Sequence, residues 1–268
     1  MRPAARTTTG GVMATVGLAL AFVPGCAKLP GSGRVEGERW IQSYALQGTG
    51  PVVVFESGLG DGKHSWEAVF GPVSEFARAF AYDRAGYGAS RSDAPSRDAF
   101  TVVSELRRTL RALSLTPPYV LVGHSLGGQY VELFARLHPE EVSGMVLVDA
   151  RNTSYGARCE VEGLERCTLP WLARLMMPRA AQREVEASGR TEARIRATGS
   201  FPEVPLIVLT ATRRPGSSEA LKRVWAETQA ELVELSPGAR QEICEACGHY
   251  IQRDAPELVV DAVRSLVE

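Results

Sequence analysis

Residues 119–128 read Tyr-Val-Leu-Val-Gly-His-Ser-Leu-Gly-Gly, and the class of fold turns on them. Tyr119 to Val122 is a short apolar run without period-2 alternation, the pattern of a strand buried on both faces of a parallel sheet. Beyond it the apolar residues step at helical spacing: Tyr130, Leu133, Phe134 and Leu137 share one face. Strand, sharp turn and helix therefore follow one another directly. Gly123, Gly127 and Gly128 bracket Ser125 because a tight turn presses backbone against strand and helix and leaves no room for Cβ atoms. Ser125 sits in the turn with its hydroxyl projecting from the sheet, beside a helix N-terminus that favours negative charge.

The same alternation extends outward. Val52 to Phe55, Met145 to Val148 and Leu206 to Leu209 are further short apolar runs, each read as a buried parallel strand. Val102, Val103, Leu106, Leu110 and Leu113 lie on one helical face. Ala255, Leu258, Val259, Ala262, Val263 and Leu266 mark a last amphipathic helix, with Pro256 near its start, where a missing N–H costs little. Trp40 to Leu46 reads as an N-terminal antiparallel strand, Phe80 to Tyr82 as the end of another parallel one, and Arg240 to Cys244 as the last strand. The expectation is an α/β fold: a mostly parallel sheet flanked by helices with right-handed crossovers. Residues 151–203 break the rhythm. They hold no strand-like run, several Pro and Gly, and many charges, so they are read as a small helical cap inserted at the carboxyl ends of the strands, where open α/β sheets bind ligands. Trp171, Leu172, Leu175, Met176 and Met177 cluster within it. The cluster either packs the cap onto the core or lines an acyl pocket.

Composition suits one large core: 268 residues, 44% hydrophobic and 23% charged. A net charge of −1 gives no basic balance for nucleic acid. The N-terminus differs from the rest. Arg2 and Arg6 precede a run from Gly11 to Val23 that is apolar or small except for Thr15, and Pro24, Gly25 and Cys26 follow. This is the pattern of an export signal over residues 1–25, too short for a membrane span. A small residue before Cys26 also resembles a bacterial lipoprotein signal, which implies a lipid on Cys26 and a membrane-anchored chain outside the cytoplasm. Residues 26–37 then read as a flexible tether and 38–268 as the folded domain. Four cysteines remain, an even number that suits an oxidising compartment; the economical pairing is Cys159 with Cys167 and Cys244 with Cys247, and the sequence leaves the two other pairings open.

Serine is a weak nucleophile unless a base takes its proton. Of the four histidines, His249 is placed to do so: it follows the last predicted strand and precedes the last helix. His124 adjoins Ser125 but points away from it, His138 caps a helix before Pro139, and His64 lies in an upstream loop that could border the pocket. With Glu56-Ser57-Gly58-Leu59-Gly60, Tyr82-Asp83-Arg84-Ala85-Gly86-Tyr87-Gly88, the Gly123 to Gly128 turn and Gly248-His249-Tyr250-Ile251, the chain resembles the α/β-hydrolase family over nearly all of residues 40–268. The resemblance implies a serine hydrolase in which the N–H groups of Leu59 and Leu126 form the oxyanion hole. It also implies an acid after the strand Leu206 to Leu209, but Thr210 to Ser218 contains no carboxylate. Asp149, at the end of the strand beside that of Ser125, is the expected acid, with Glu219 as the alternative. Asp83 and Arg84 are expected to pair locally, and Glu56 to organise the oxyanion loop. A Ser at position 125 argues against the epoxide hydrolases and dehalogenases of this fold, whose nucleophile is Asp. The expected reaction is acyl transfer from a short or medium ester to water, with a small acyl substrate as partner and no metal or organic cofactor. The rival expectation is an inactive scaffold kept for ligand binding or surface interaction.

Overall fold

Val52, Val53, Val54 and Phe55 are all buried because helices cover both faces of the sheet they join. Val52 and Val54 face one layer of core with Phe80, Leu121 and Met145, while Val53 and Phe55 face the other with Ala79, Val120 and Val146. The period of two is present, but both phases are apolar. The computed structural model describes residues 29–164 and 174–268. Its strands are β1 (Ser32–Gly37), β2 (Trp40–Gln47), β3 (Val52–Glu56), β4 (Arg78–Tyr82), β5 (Arg91–Ser92), β6 (Tyr119–His124), β7 (Val142–Val148), β8 (Leu206–Ala211) and β9 (Arg240–Cys244). They form one sheet in the order β1-β2-β4-β3-β6-β7-β8-β9, with β5 beside β2. From β4 to β9 the neighbours are parallel; β1, β2 and β5 pair antiparallel. This is an α/β-hydrolase fold.

Helices α1 (Glu67–Ser74) and α8 (Pro256–Val267) cover one face through Val69, Phe70, Val259 and Val263. Helices α2 (Ala99–Ala112) and α3 (Leu126–Leu137) cover the other through Val102, Leu106, Leu133 and Phe134. Residues 151–203 carry α4 (Tyr155–Val161) and α5 (Arg179–Ala197). Helix α6 (Glu219–Glu231) follows β8, and the short α7 (Ile251–Asp254) precedes α8. After β3 the chain crosses to β4 on one side and later to β6 on the other. The crevice between the carboxyl ends of β3 and β6 is thus the switch point where ligands bind in such sheets.

One expectation is corrected. A flexible tether over residues 26–37 does not describe 32–37, which pair with β2 from Ser32 opposite Ala45 to Gly37 opposite Trp40. The ladder begins earlier still, with the Leu46 N–H donating to Gly31 O at 3.1 Å, and Leu29 is buried. Ser-Gly-Arg-Val-Glu-Gly carries no apolar run because an edge strand is held by its backbone ladder, so composition alone made it look like a linker. Residues 1–28, including Cys26, and residues 165–173, including Cys167, Trp171 and Leu172, lie outside the described residues. Among the described residues no helix is long and apolar enough to cross a membrane.

Candidate active site

Ser125 has φ 52° and ψ −120°, a region that a residue with a side chain occupies only when its surroundings force it. The forcing groups are close. A Cβ on Gly123 would lie 2.6 Å from Val131 and 2.8 Å from Gly128, and one on Gly127 would lie 2.4 Å from the Glu56 carbonyl. Ser125 is the N-cap residue of α3, yet its hydroxyl makes no capping bond. It meets His249 instead: Ser125 Oγ lies 2.9 Å from His249 Nε2, and His249 Nδ1 lies 2.6 Å from Asp149 Oδ2. Three residues from the ends of β6, β9 and β7 thus form one continuous hydrogen-bonded line.

Asp149 is buried, and its carboxylate is saturated. Oδ1 accepts from Trp225 Nε1 at 3.0 Å and from the Ala211 N–H at 3.2 Å; Oδ2 accepts from Arg214 as well as His249. Burial pushes the carboxyl up, but the His249 hydrogen bond, the Arg214 charge and the Trp225 hydrogen bond outweigh it and hold the group below its ordinary range. Arg214 lies over Trp225, its guanidinium carbon 3.8 Å from the ring centre. Arg214 comes from the segment after β8 that lacks a carboxylate. A cation there reaches across to an acid on the neighbouring strand. Glu219, the alternative acid, is not part of this arrangement: its side chain is 88% exposed and pairs with Lys222 at 2.8 Å.

His124 is not idle. Its ring centre lies 4.7 Å from that of His249, and its Nε2 donates to the His249 carbonyl at 2.8 Å. That proton must sit on Nε2, since a carbonyl only accepts. Burial above all, and then the positive charge His249 can carry, push the His124 pKa down to about 3, so the ring stays neutral and holds the His249 loop from behind. His138 is the C-cap residue of α3 with its ring edge-on to Phe134, and His64 is exposed. The loop of His249 is also clamped by a Cys244–Cys247 disulfide, the pairing expected for those two residues. Cys159 is disulfide-bonded too.

Leu126 is the first residue of α3, so its N–H has no partner within the helix. Among the described residues neither it nor the Leu59 N–H donates a hydrogen bond. The Leu59 loop is brought in by Gly58, whose Cβ would lie 2.9 Å from His124 Nδ1 and 3.3 Å from the Ser125 Cβ. Behind the loop sits Arg84. The expectation that it pairs locally is corrected, because its partners come from distant parts of the chain. Nη1 donates to Glu56 Oε1 at 2.7 Å and Ser57 O at 2.6 Å, Nη2 to Gly58 O at 2.7 Å and Glu184 Oε2 at 3.1 Å, and Nε to Glu184 Oε1 at 2.9 Å. Asp83 likewise finds its partner outside its own segment, in Lys63. Glu184 belongs to α5, a hundred residues further on, and sequence spacing carries no sign of it. Met177 packs with Tyr87, Ala180 and Ala181 against Leu59, whereas Leu175 and Met176 are exposed, so the apolar cluster expected there is divided. Among the described residues the one grouping of potential metal ligands is His138, Glu140 and Glu141, at the far end of α3. Glu141 there is already bound by Arg107.

The family model of the alpha/beta hydrolase fold matches residues 51–197, more than half of the chain. The chain belongs to the α/β-hydrolase fold family. Among curated proteins it is similar to the uncharacterized protein YqjL of Bacillus subtilis (strain 168), 28% identical over 225 residues that cover 84% of this chain and 87% of that one. Other curated relatives match over shorter stretches: YbdG of the same organism is 29% identical over 115 residues, 42% of this chain and 35% of that protein. Among solved structures, a thermophilic esterase from Thermogutta terrifontis superposes with a TM-score of 0.62 at 21% identity, covering 87% of this chain and 97% of the other. At that identity the likeness to an α/β hydrolase of known structure is one of fold.

Proposed function

We propose that the chain is a serine hydrolase that cleaves a carboxylic ester of short or medium acyl length. Ser125 is the nucleophile, His249 the general base and Asp149 the acid. The observation that carries the reading is the unbroken line from Ser125 Oγ through both ring nitrogens of His249 to the Asp149 carboxylate. In acylation, Ser125 Oγ bonds to the ester carbonyl carbon as its proton passes to His249 Nε2. Asp149, ionised and fixed by four donors, keeps Nδ1–H directed at itself and stabilises the imidazolium. The tetrahedral oxyanion lies against the Leu59 and Leu126 N–H groups, each such donor accounting for roughly 2.7–4 kcal/mol of transition-state stabilisation. Collapse breaks the bond to the leaving alkoxide, which takes the proton from His249. Water then attacks the acyl-enzyme, with His249 again accepting the proton, and the carboxylic acid leaves as Ser125 is restored.

A fluorophosphonate probe and p-nitrophenyl esters of increasing acyl length test this. Labelling at Ser125 that disappears in Ser125→Ala, with turnover of at least one ester, is expected. Folded protein that neither labels nor turns over any ester would point to the rival reading, a binding scaffold without catalysis. We further propose that the chain is exported and anchored through a lipid on Cys26. The basic start, the short apolar run ending at Cys26 and the disulfides support this. Mass spectrometry of the membrane fraction should find the mature chain beginning at acylated Cys26; a chain beginning elsewhere overturns the anchor.

A further inference from the structure

Arg84 is buried to 1% side-chain exposure, and all five of its N–H donors are engaged. Two of the acceptors are the consecutive carbonyls of Ser57 and Gly58. In a trans peptide the carbonyl and the following N–H point in opposite directions. Fixing the Gly58 oxygen on the guanidinium therefore fixes the Leu59 N–H on the side of the loop away from Arg84. A guanidinium rotates easily unless its own fork is held. Glu184 holds it, through both carboxylate oxygens, from helix α5 of the cap. The Tyr87 hydroxyl ties the same pieces together, donating to Glu184 Oε2 at 2.7 Å and accepting from the Gly60 N–H at 3.3 Å. Helix α5 can lie this close because Gly86 has no Cβ; one built there would sit 2.5 Å from Ala180. A buried ion pair of this kind is weak evidence for stability, since desolvation offsets much of the attraction. Its geometry is better explained by what it aims.

We propose that Glu184 is a positioning residue: from the cap it sets the orientation of Arg84, and through Arg84 it aims the Leu59 N–H at the developing oxyanion. Docking of α5 and assembly of the oxyanion site are then one event. An α5 that moves off the sheet leaves Arg84 held by Glu56 on one side only, and the Gly58 carbonyl with the Asp61 N–H, at 3.3 Å, as its other donor. The inference rests on the reading of Leu59 as an oxyanion donor, and wild-type labelling and turnover test that reading separately.

Glu184→Gln keeps the volume but turns an NH2 toward the guanidinium. Glu192→Gln is the control. Glu192 is also buried on α5 and anchors it, accepting from Arg151 at 2.9 Å and Gln129 at 3.1 Å, but touches nothing in the Arg84 cluster. Each variant is counted by fluorophosphonate titration, so that turnover is expressed per reactive Ser125. For Glu184→Gln the expected result is a fall in kcat of tenfold or more, with KM within about twofold, because the oxyanion forms only in the transition state. Affinity for a boronic acid, whose tetrahedral adduct fills the same site, should fall in parallel. Glu192→Gln should stay within about threefold of wild type in kcat. Arg84→Lys should lower kcat likewise, and the double variant should fall little further than Arg84→Lys alone. If Glu184→Gln does not fold, Tyr87→Phe serves in its place and should lower kcat in the same direction by a smaller factor. A wild type that turns over ester while Glu184→Gln keeps its kcat, changes only KM, or behaves as Glu192→Gln does, overturns the proposal.

Discussion

The Asp149 carboxylate accepts from a histidine ring, a guanidinium, an indole and a backbone N–H, and each bond limits what the others can do. Its φ of 41° is itself unusual, and the Ala211 and Trp225 donors are what keep it there. Replacing Asp149 by Asn removes the charge that holds the His249 ring and offers an NH2 to the wrong partner. We expect kcat to fall by about 10⁴ in Asp149→Asn, while Glu219→Gln, a change on an exposed helix start, leaves it within twofold; steady-state turnover of one ester decides. Arg214 makes a second prediction. His249 is faced by the Asp149 anion, the Arg214 cation behind it, neutral His124, and Tyr250 with Arg253 stacked on it. Arg214 and His249 share Asp149 Oδ2, and Arg214 also lies over Trp225, the donor to Oδ1. Arg214→Met removes one of the four donors that fix the carboxylate and should lower kcat severalfold at fixed pH, less than Asp149→Asn does. An unchanged kcat would mean that Arg214 only packs on Trp225. Asp149 titrates below its ordinary value in the fold, so its contribution is present above that value and is lost as pH falls through the depressed one.

At the scale of elements, the turn between β6 and α3 is where the molecule tolerates least. Gly127 sits in the first turn of a helix, where Ala is ordinarily better by about 1 kcal/mol. Here the added methyl would meet the Glu56 and Ser57 carbonyls at 2.4 and 2.7 Å, and both belong to backbone that cannot swing aside. The clash wins. Gly127→Ala should cost about 1–3 kcal/mol in urea unfolding and lower kcat tenfold or more by pushing the Leu59 loop off Ser125. The His249 end of the hydrogen-bonded line depends on a different device. Cys247 is buried, its carbonyl accepts from the Arg213 N–H at 3.0 Å, and its disulfide to Cys244 fixes the residues just before His249. Closing so short a loop is worth roughly 2 kcal/mol. Cys244→Ser with Cys247→Ser should lose about that in urea unfolding and should lower kcat; an unchanged kcat would show that the His124 bond to the His249 carbonyl holds the loop alone. These elements differ in how far they could be read beforehand. The Gly-x-Ser-x-Gly turn announces itself because tight backbone geometry demands particular residue types, and His249 because it lies between the last strand and the last long helix. The Arg84 to Glu184 contact does not, because nothing local requires a glutamate at 184; only the way α5 crosses the sheet brings it there.

Across the whole molecule, what was legible is what is repetitive. Central strands read clearly because both of their faces are apolar, and flanking helices because one of theirs is. The edge read poorly. Of β1, only Val35 is apolar, and its pairing with β2 uses backbone groups that every residue possesses. Asp149 stood out through an absence, the missing carboxylate after β8, but its Arg214 and Trp225 partners did not, since they depend on how the segment after β8 and helix α6 fold back over the strand ends. The edge strand has a consequence for where the folded unit starts. Leu29 is 4% exposed, and burial of a leucine side chain is worth about 1.5–3 kcal/mol. A chain starting at Leu29 retains that burial and the β1 ladder, and should match the full chain in melting temperature. A chain starting at Glu38 loses both and uncovers the β1 side of β2, an unpaired edge prone to associate with other edges. At 2–4 °C per kcal/mol for a domain of this size, the second truncation should melt lower by roughly 5–10 °C and should aggregate on concentration, while its kcat at low temperature stays close to that of the first, because β1 lies at the far side of the sheet from Ser125. Equal melting temperatures for the two chains would return residues 29–37 to the status of a linker.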